Sequence, residues 1–514
     1  VDTRVIEGQI NQPRVDTVLS PTLCAADPLC PKLWDPFRVD TLDDELKNYI
    51  LVTHSPVGRR TLRQAQFNLV GDFGSFELPA GPLNWAVGIE QRSEKAEFIP
   101  DGAASLGMIY FVAGEKTEGK ISVDEAYGEI DIPILADLPF ANVLGVNLSA
   151  RYSDYGGALG SNTNMKGSIE WGPIETLRFR ATYAEGFRAP SINELFQPQT
   201  KSAQQYNDPC LNYGAGASPT VTANCQADGL PPDFGLTSTQ GTALFGGTPD
   251  LTPEESESMS FGIVWTPNFT PLSVRLDYFD IEITDGIGTA GTNNVITSCY
   301  ESSNFSHPLC ELIEGPSAVG EAPHPTSPRR NAIGNIAGII LTNANLSTFN
   351  TSGVDFNVDW FTDLGPGQLN LSVAGTWLDE NSYVLVPGAP KVDQVGFFAE
   401  DQWNGSPAGF PEWQARFNIG YAADSWGINY IPRYIDNVRD IFASETNLSN
   451  ETGNYWYHDI QGYYNWNAWD FTVGIRNATD EDPPYVTNND DMNTIMQTYD
   501  TAGRYYYFRF GFRY

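Results

Sequence analysis

The sequence has no unbroken apolar run of about 18 residues, so it encodes no transmembrane helix. That leaves a membrane-spanning barrel open, because each barrel strand is apolar only at alternate residues. Cations are scarce: 29 Lys and Arg stand against 64 Asp and Glu, a net charge of −35. This excludes a nucleic-acid partner, since phosphate backbones are held by clustered Lys and Arg. Histidine is scarcer still, with His54, His307, His324 and His458 scattered along 514 residues. The GxSxG, HExxH, Walker A and Rossmann glycine patterns are all missing. Nucleophilic catalysis has little to stand on, and the chain is not expected to be an enzyme. No signal peptide opens the chain at Val1, which reads as mature, processed or a fragment.

No cysteine lies outside three close pairs: Cys24 with Cys30, Cys210 with Cys225, and Cys299 with Cys310. Each pair sits in a Gly-, Pro- or Asn-rich stretch. A zinc site needs tighter spacing and more His. Local disulfides formed in an oxidising compartment fit better. In a Gram-negative cell that means the periplasm or beyond.

What the chain does have is aromatics and glycine, with 24 Tyr, 28 Phe, 12 Trp and 48 Gly. That mixture favours strands and turns over helices. Period-two alternation is clearest at the C-terminal end. Tyr506, Phe508, Phe510, Phe512 and Tyr514 share one face, and Tyr505, Tyr507, Arg509, Gly511 and Arg513 the other. The same pattern sets Leu177, Phe179, Ala181 and Tyr183 against Arg178, Arg180 and Thr182. It also sets Leu272, Val274, Leu276 and Tyr278 against Ser273, Arg275 and Asp277, and Val354, Phe356, Val358 and Trp360 against Asp355, Asn357 and Asp359. One face suits lipid and the other a wet lumen.

Alternation alone also suits a soluble sandwich, and the connections decide between them. About 15 strands are expected, starting near residues 59, 83, 121, 143, 162, 176, 254, 272, 346, 367, 411, 427, 455, 470 and 501. Short links rich in turn residues (ELPAGP at 77–82, DLPFAN at 137–142, GPIE at 172–175, TPNFTP at 266–271, DLGPGQ at 363–368) alternate with long ones. The longest are 187–253 and 285–345. Outer-membrane barrels sort their links this way, with short periplasmic turns and long extracellular loops. The fold class is therefore all-β, a transmembrane antiparallel β-barrel. Residues 1–58 are expected to form an extracellular loop segment carrying the first Cys pair, and residues 59–514 the barrel strands with their loops. An odd strand count then carries the chain from outside to a periplasmic C-terminus. Single-chain barrels normally have an even count with both ends in the periplasm. Earlier strands are thus expected elsewhere.

Several stretches resemble motifs of TonB-dependent outer-membrane receptors. YAEGFRAPSINELF at 183–196 resembles a barrel motif, and TPDLTPEESESMSFGIVWTP at 248–267 the segment after the next long loop. YFDIEITDGIG at 278–288, FNTSGVDFNVDW at 349–360, VGIRNATDEDPPYV at 473–486 and AGRYYYFRFGFRY at 502–514 follow in the family's order. The ordered set spans nearly the whole chain and is far more specific than any one motif. The resemblance implies a 22-stranded barrel around an N-terminal plug, with active uptake of a scarce nutrient driven by the TonB complex. No plug or TonB-contacting box is present here, so plug and first strands are expected from an N-terminal segment or a partner chain. The competing readings are a passive porin-like channel and, further off, an outer-membrane barrel enzyme.

Candidate site residues follow. Arg188, Asn193 and Glu194 lie just past a strand end. They either position the next loop near ligand, or Arg188 and Glu194 pair to hold the rim. The pairing is favoured, because the motif is shared by receptors with different ligands. Tyr206, Tyr213 and Trp403 in loops are candidates for stacking on sugar rings. Lumen-facing Arg151, Arg178, Arg180, Asp277, Asp355 and Asp359 are expected to pair with one another or with a plug more often than with ligand. Acidic loop groups at Glu400 and Asp401, at Asp480 to Asp482, and at Asp490 and Asp491 offer oxygens for a structural Ca²⁺, although none has EF-hand spacing. Solvation, or bridging to lipopolysaccharide through divalent ions, accounts for them better. The resemblance implies that Phe510, Phe512 and Tyr514 form a terminal signal read by the barrel-assembly machinery. They also suit an aromatic girdle.

Overall fold

The computed structural model describes residues 2–3, 5–109, 115–235, 240–319, 321–400, 407–441, 451–486 and 493–513. Fifteen strands form one antiparallel ladder. They are β1 (Val57–Leu78), β2 (Gly81–Ile99), β3 (Thr117–Leu138), β4 (Ala141–Gly156), β5 (Gly160–Ile174), β6 (Leu177–Arg188), β7 (Glu254–Trp265) and β8 (Leu272–Gly288). Then come β9 (Ala344–Leu364), β10 (Gly367–Val384), β11 (Trp413–Ala423), β12 (Trp426–Ile435), β13 (Tyr455–Trp466), β14 (Trp469–Arg476) and β15 (Tyr505–Phe512). Each pairs with the next in sequence, from β1 with β2 to β14 with β15. The observed starts lie within four residues of those read from the sequence. Strict alternation fixes them, because a one-residue slip would turn every apolar side chain to the wrong face.

One rim carries only short links, from two residues up to the six of 266–271. The two-residue links 365–366 and 467–468 turn through left-handed backbone at Gly365 (φ 61°) and Asn467 (φ 54°). The other rim carries the long loops, with one exception. The link 157–159 is a single 3-10 turn, made possible by positive φ at Gly156, Gly157 and Gly160.

The wall is one sheet thick. Its polar face pairs charges across strands, and its apolar face stays exposed, including Ile169, Met259, Ile419, Val473 and Phe508. Two aromatic belts bound that apolar face. Near the short-turn rim, Trp171 stacks on Phe179, Tyr421 packs on Trp426, and Trp469 packs on Phe510 and Phe512. Nearer the other rim, Trp377 meets Trp413 and Trp456 meets Phe417 and Tyr434. Trp413 and Tyr421 are eight residues apart on β11. That is roughly 26 Å along the strand, or about 20 Å along the membrane normal at a tilt of ~40°. An apolar band of this height flanked by aromatics is what a bilayer requires. The longest strands, β1 and β3 at 22 residues each, extend well past it.

Burial is concentrated in the loops. The described residues of 189–253 and 289–343 fold together into a small domain. Strands Thr200–Gln205, Gln240–Gly246, Gly338–Thr342 and Ile313–Glu314 form its sheet, and helices Pro219–Ala227 and Thr292–Glu301 pack beside it. Tyr300, Ile296, Val295 and Leu341 are among its core, joined by Leu385 and Val386 from the loop after β10. A second loop core contains Val438, Tyr457, Val486, Ile495 and Tyr499.

The segment before β1 is more structured than a loop. Helices Gln12–Leu19, Pro21–Ala26 and Asp44–Ile50 are capped by Asn11, Ser20 and Asp43. They bury Val18, Leu46, Tyr49 and Ile50. All three Cys pairs are disulfides: Cys24–Cys30, Cys210–Cys225 and Cys299–Cys310. None lies in a short turn. Among the described residues no helix is long and apolar enough to cross a membrane, which says nothing against strands doing so.

Candidate functional site

The motif at the end of β6 builds a clamp. Arg188 donates Nε and Nη2 to the two carboxylate oxygens of Glu254, at 2.6 and 2.9 Å. It donates Nη1 and Nη2 to Glu194 at 2.9 and 3.0 Å. One guanidinium thus fills both forks, which a lysine ammonium cannot do. Ser191 and Glu194 form a reciprocal capping box on the helix Ile192–Phe196. Glu254 also accepts the Ile287 backbone N–H at 2.7 Å, tying in the end of β8. Burial raises the Glu194 carboxyl, but hydrogen bonds from Arg188 and Ser191 outweigh it and leave its pKa below the ordinary carboxylate value. Leu195, Leu251 and Ile287 pack beneath. The clamp therefore fixes where the loop domain leaves the wall, as the pairing of Arg188 with Glu194 implied. Asn193 is exposed on the helix, with its carbonyl accepting from Gln197 N–H.

The loop domain is built around one buried cation. Arg330 is 0% exposed. It donates Nη1 and Nη2 to Asp208 at 2.6 and 2.9 Å, and Nη1 to the Gly334 carbonyl at 2.7 Å. Its Nε lies 2.9 Å from the Tyr300 hydroxyl and 3.3 Å from Asp228. Asp228 further accepts from Ser327 and Arg329. Burial opposes the Arg330 charge, yet Tyr300, Asp208 and Asp228 hold it firmly cationic. Burial also pushes the Tyr300 phenol far above its ordinary value. This network ties both long loops together. Sequence reading missed it, because the partners lie as much as 122 residues apart.

Two of the aromatics proposed for sugar stacking are inside this domain, which corrects that expectation. Tyr206 and Tyr213 are each 3% exposed. Tyr213 donates its hydroxyl to the Leu230 carbonyl at 2.7 Å, and burial drives the Tyr206 phenol up to about 12. Their rings fill the core that Cys210–Cys225 closes, so neither presents a face to a sugar. Trp403, Asp401, Asp490, Asp491 and Tyr514 lie outside the described residues, and the Glu400 side chain is likewise undescribed. Asp480 caps the backbone N–H of Arg504. Among the described residues no three His, Cys, Asp or Glu side chains converge as metal ligands.

Along the wall the polar face is a set of cross-strand ion pairs. Arg180 holds Asp277 through two bonds of 2.9 and 2.7 Å, reaching across Gly262. A Cβ at Gly262 would lie 2.0 Å from the Asp277 carboxylate and 2.7 Å from Arg180 Nε, so only glycine admits this bridge. Arg178 pairs with Glu170, and Arg275 with Asp359. Arg151 sits 3.7 Å from both Glu90 and Glu125, and Asp355 accepts from Thr376. Five of the six lumen charges named from the sequence thus meet an opposite charge within the wall, and Asp355 takes a hydroxyl instead. A cavity of about 630 Å³ opens on this face, lined by Arg275, Asp355, Asn357, Gln414, Arg416 and Arg433 among others. Phe510 and Phe512 pack on Trp469 in the short-turn aromatic belt.

A continuous antiparallel wall, polar on one face and apolar with two aromatic belts on the other, is that of an outer-membrane β-barrel. The chain belongs to the TonB dependent receptor-like β-barrel family, whose model matches residues 36–478. The siderophore receptor PirA from Acinetobacter baumannii has a similar structure, with a TM-score of 0.53 at 17% identity over 92% of this chain and 56% of that one. A variant of the ferric enterobactin receptor PfeA from Pseudomonas aeruginosa, bound to enterobactin, gives a TM-score of 0.55 at 14% identity over 90% of this chain and 55% of that one. No curated protein matches this sequence. The chain spans little more than half the length of these solved receptors. The family is one of the Gram-negative outer membrane.

Proposed function

We propose that this chain is the barrel part of an active uptake receptor, with the long loops outside the cell and the short turns in the periplasm. The loop domain captures a scarce nutrient. The nutrient then enters the lumen when TonB displaces a plug supplied by an N-terminal segment or a separate chain. The family match over 36–478 carries this reading. A loop domain with its own core and two disulfides supports it, since a capture surface gains affinity when it needs no ordering on binding. Siderophores head the list of nutrients, because the similar solved receptors are siderophore receptors. Lipopolysaccharide around the wall and the barrel-assembly machinery acting on the terminal strand complete the partners.

The test compares cells lacking this chain, cells lacking TonB, and the double mutant. Each grows with one siderophore, haem, cobalamin, saccharide or peptide as the limiting nutrient. The same nutrient is expected to fail in all three strains. A nutrient lost with this chain but still taken up without TonB is the behaviour of a passive channel and overturns the reading.

A further inference from the structure

The lumen face carries a rising row of arginines. One register line runs from Arg178 on β6, through Val264, to Arg275 on β8 and Asn357 on β9, then through Ala374 to Arg416 on β11 and Arg433 on β12. Strands in a barrel tilt, so a line perpendicular to them climbs. Arg178 is one residue into its strand from the short-turn rim, Arg275 is three residues in, and Arg416 stands seven residues from the end of β11. In distance along the strands that is roughly 3, 10 and 23 Å.

Three of the four are neutralised. Arg178 holds Glu170 at 2.8 Å, Arg275 holds Asp359 at 3.0 Å, and Arg433 sits between Asp459 and Asp500. Arg416 is the exception. It is exposed into the 630 Å³ cavity, and among the described residues it has no carboxylate, hydroxyl or carbonyl partner. Asn357 lines the same cavity, with its amide oxygen buried behind the lining and without a donor. Between them stands Ala374, whose small side chain leaves a notch. Asp355, from the adjoining row, lines the cavity too and disfavours a bare anion. It favours a ligand that also brings hydrogen-bond donors.

We infer that this notch is a resting site on the transport path for a group carrying both an oxyanion and a hydroxyl. Arg416 takes the oxyanion through its fork, and Asp355 accepts from the hydroxyl. The inference rests on the uptake reading, in which the lumen is the route. It adds the chemistry that the route selects.

Arginine modification tests it in the intact receptor, purified with whatever plug the cell supplies. Phenylglyoxal labelling is followed peptide by peptide by mass spectrometry, with citrate, inorganic phosphate or neutral glucose present. Arg416 is expected to react about tenfold faster than the ion-paired Arg275 and Arg433, and citrate and phosphate, but not glucose, to slow it. An Arg416 already shielded without added anion would show that a protein carboxylate covers it, and the site falls. Labelling that neither anion slows also sinks it. In parallel, Arg416→Gln is expected to lower uptake of an acidic nutrient while the receptor's amount in the outer membrane stays constant. Unprotected Arg416 in a receptor that still transports overturns this site alone. Anion protection in a receptor with no TonB-dependent uptake overturns the transport reading alone.

Discussion

Replacing Arg330 with methionine isolates the buried charge network of the loop domain. Methionine has similar length and flexibility, so the void is small. Two carboxylates, Asp208 at 6% and Asp228 at 1% exposure, then lose their central cation. Among the described residues Ser327, Tyr300 and the partly buried Arg329 then remain as donors to Asp228. Breaking a buried pair by removing one partner costs about 3–5 kcal/mol, because a charge is left dry and unpaired. At about 1.4 kcal/mol per decade this favours local opening roughly 100- to 4,000-fold. Hydrogen exchange of the amides in Thr200–Gln205 and Gln240–Gly246 reads that opening directly, since this strand pair belongs to the same domain. The wall strands should keep wild-type protection, because the wall has its own ladder. Arg330→Lys should recover only part of the loss, having charge but no fork. The triple variant Arg330→Met, Asp208→Asn, Asp228→Asn should recover more, since it removes the stranded charges. Protection of the loop strands within about fivefold of wild type in Arg330→Met would falsify the reasoning.

Other substitutions probe the wall and its rim. Val473→Arg on the apolar face should cost about 2–4 kcal/mol of membrane stability, whereas Thr472→Arg on the opposite face should be tolerated, as urea-dependent unfolding in vesicles would reveal. Gly262→Ala should break the Arg180–Asp277 bridge, and a structure of the variant that still shows both bonds would refute the steric argument. Arg188→Ala should leave Glu254 and Glu194 unpaired at the rim and raise protease cleavage within 189–253 while β6 and β7 stay intact. Because the Glu194 pKa is held below its unfolded value, the clamp's contribution is complete above the ordinary carboxylate range and is lost as pH falls through the lower folded value. Cleavage of 189–253 by an acid-active protease should therefore rise below about pH 4, with no matching rise between pH 5 and 8.

The wall was legible because its information is local. In β15, Tyr506, Phe508, Phe510 and Phe512 alternate with Tyr507, Arg509 and Gly511, and that two-residue period specifies a strand whatever surrounds it. Turn residues such as Gly365 and Asn467 set the short rim, and the excess of acid over base argued against a nucleic-acid partner. The clamp of Arg188 and Glu194 was also within reach, because six residues and a capping box separate the two. Its third member, Glu254, was not, since 66 residues intervene.

The loop domain is the opposite case. Tyr206 and Tyr213 look like exposed aromatics in a polar, glycine-rich stretch, and they are core. Burial there arises from packing between loops, joined by Arg330 and by residues after β10, and no local period reports it. The helices before β1 left weaker traces, in the cap residues Asn11, Ser20 and Asp43. Arg416 could be placed on the lumen face by alternation alone. That among the described residues it lacks a partner while Arg178, Arg275 and Arg433 do not is decided by which strands lie side by side. The sequence by itself therefore determined a strand-built membrane wall and its two faces, because pleat and turn are short-range. Only the tertiary structure decided which charges meet and which aromatics are hidden, because those contacts depend on register and on loops folding against one another.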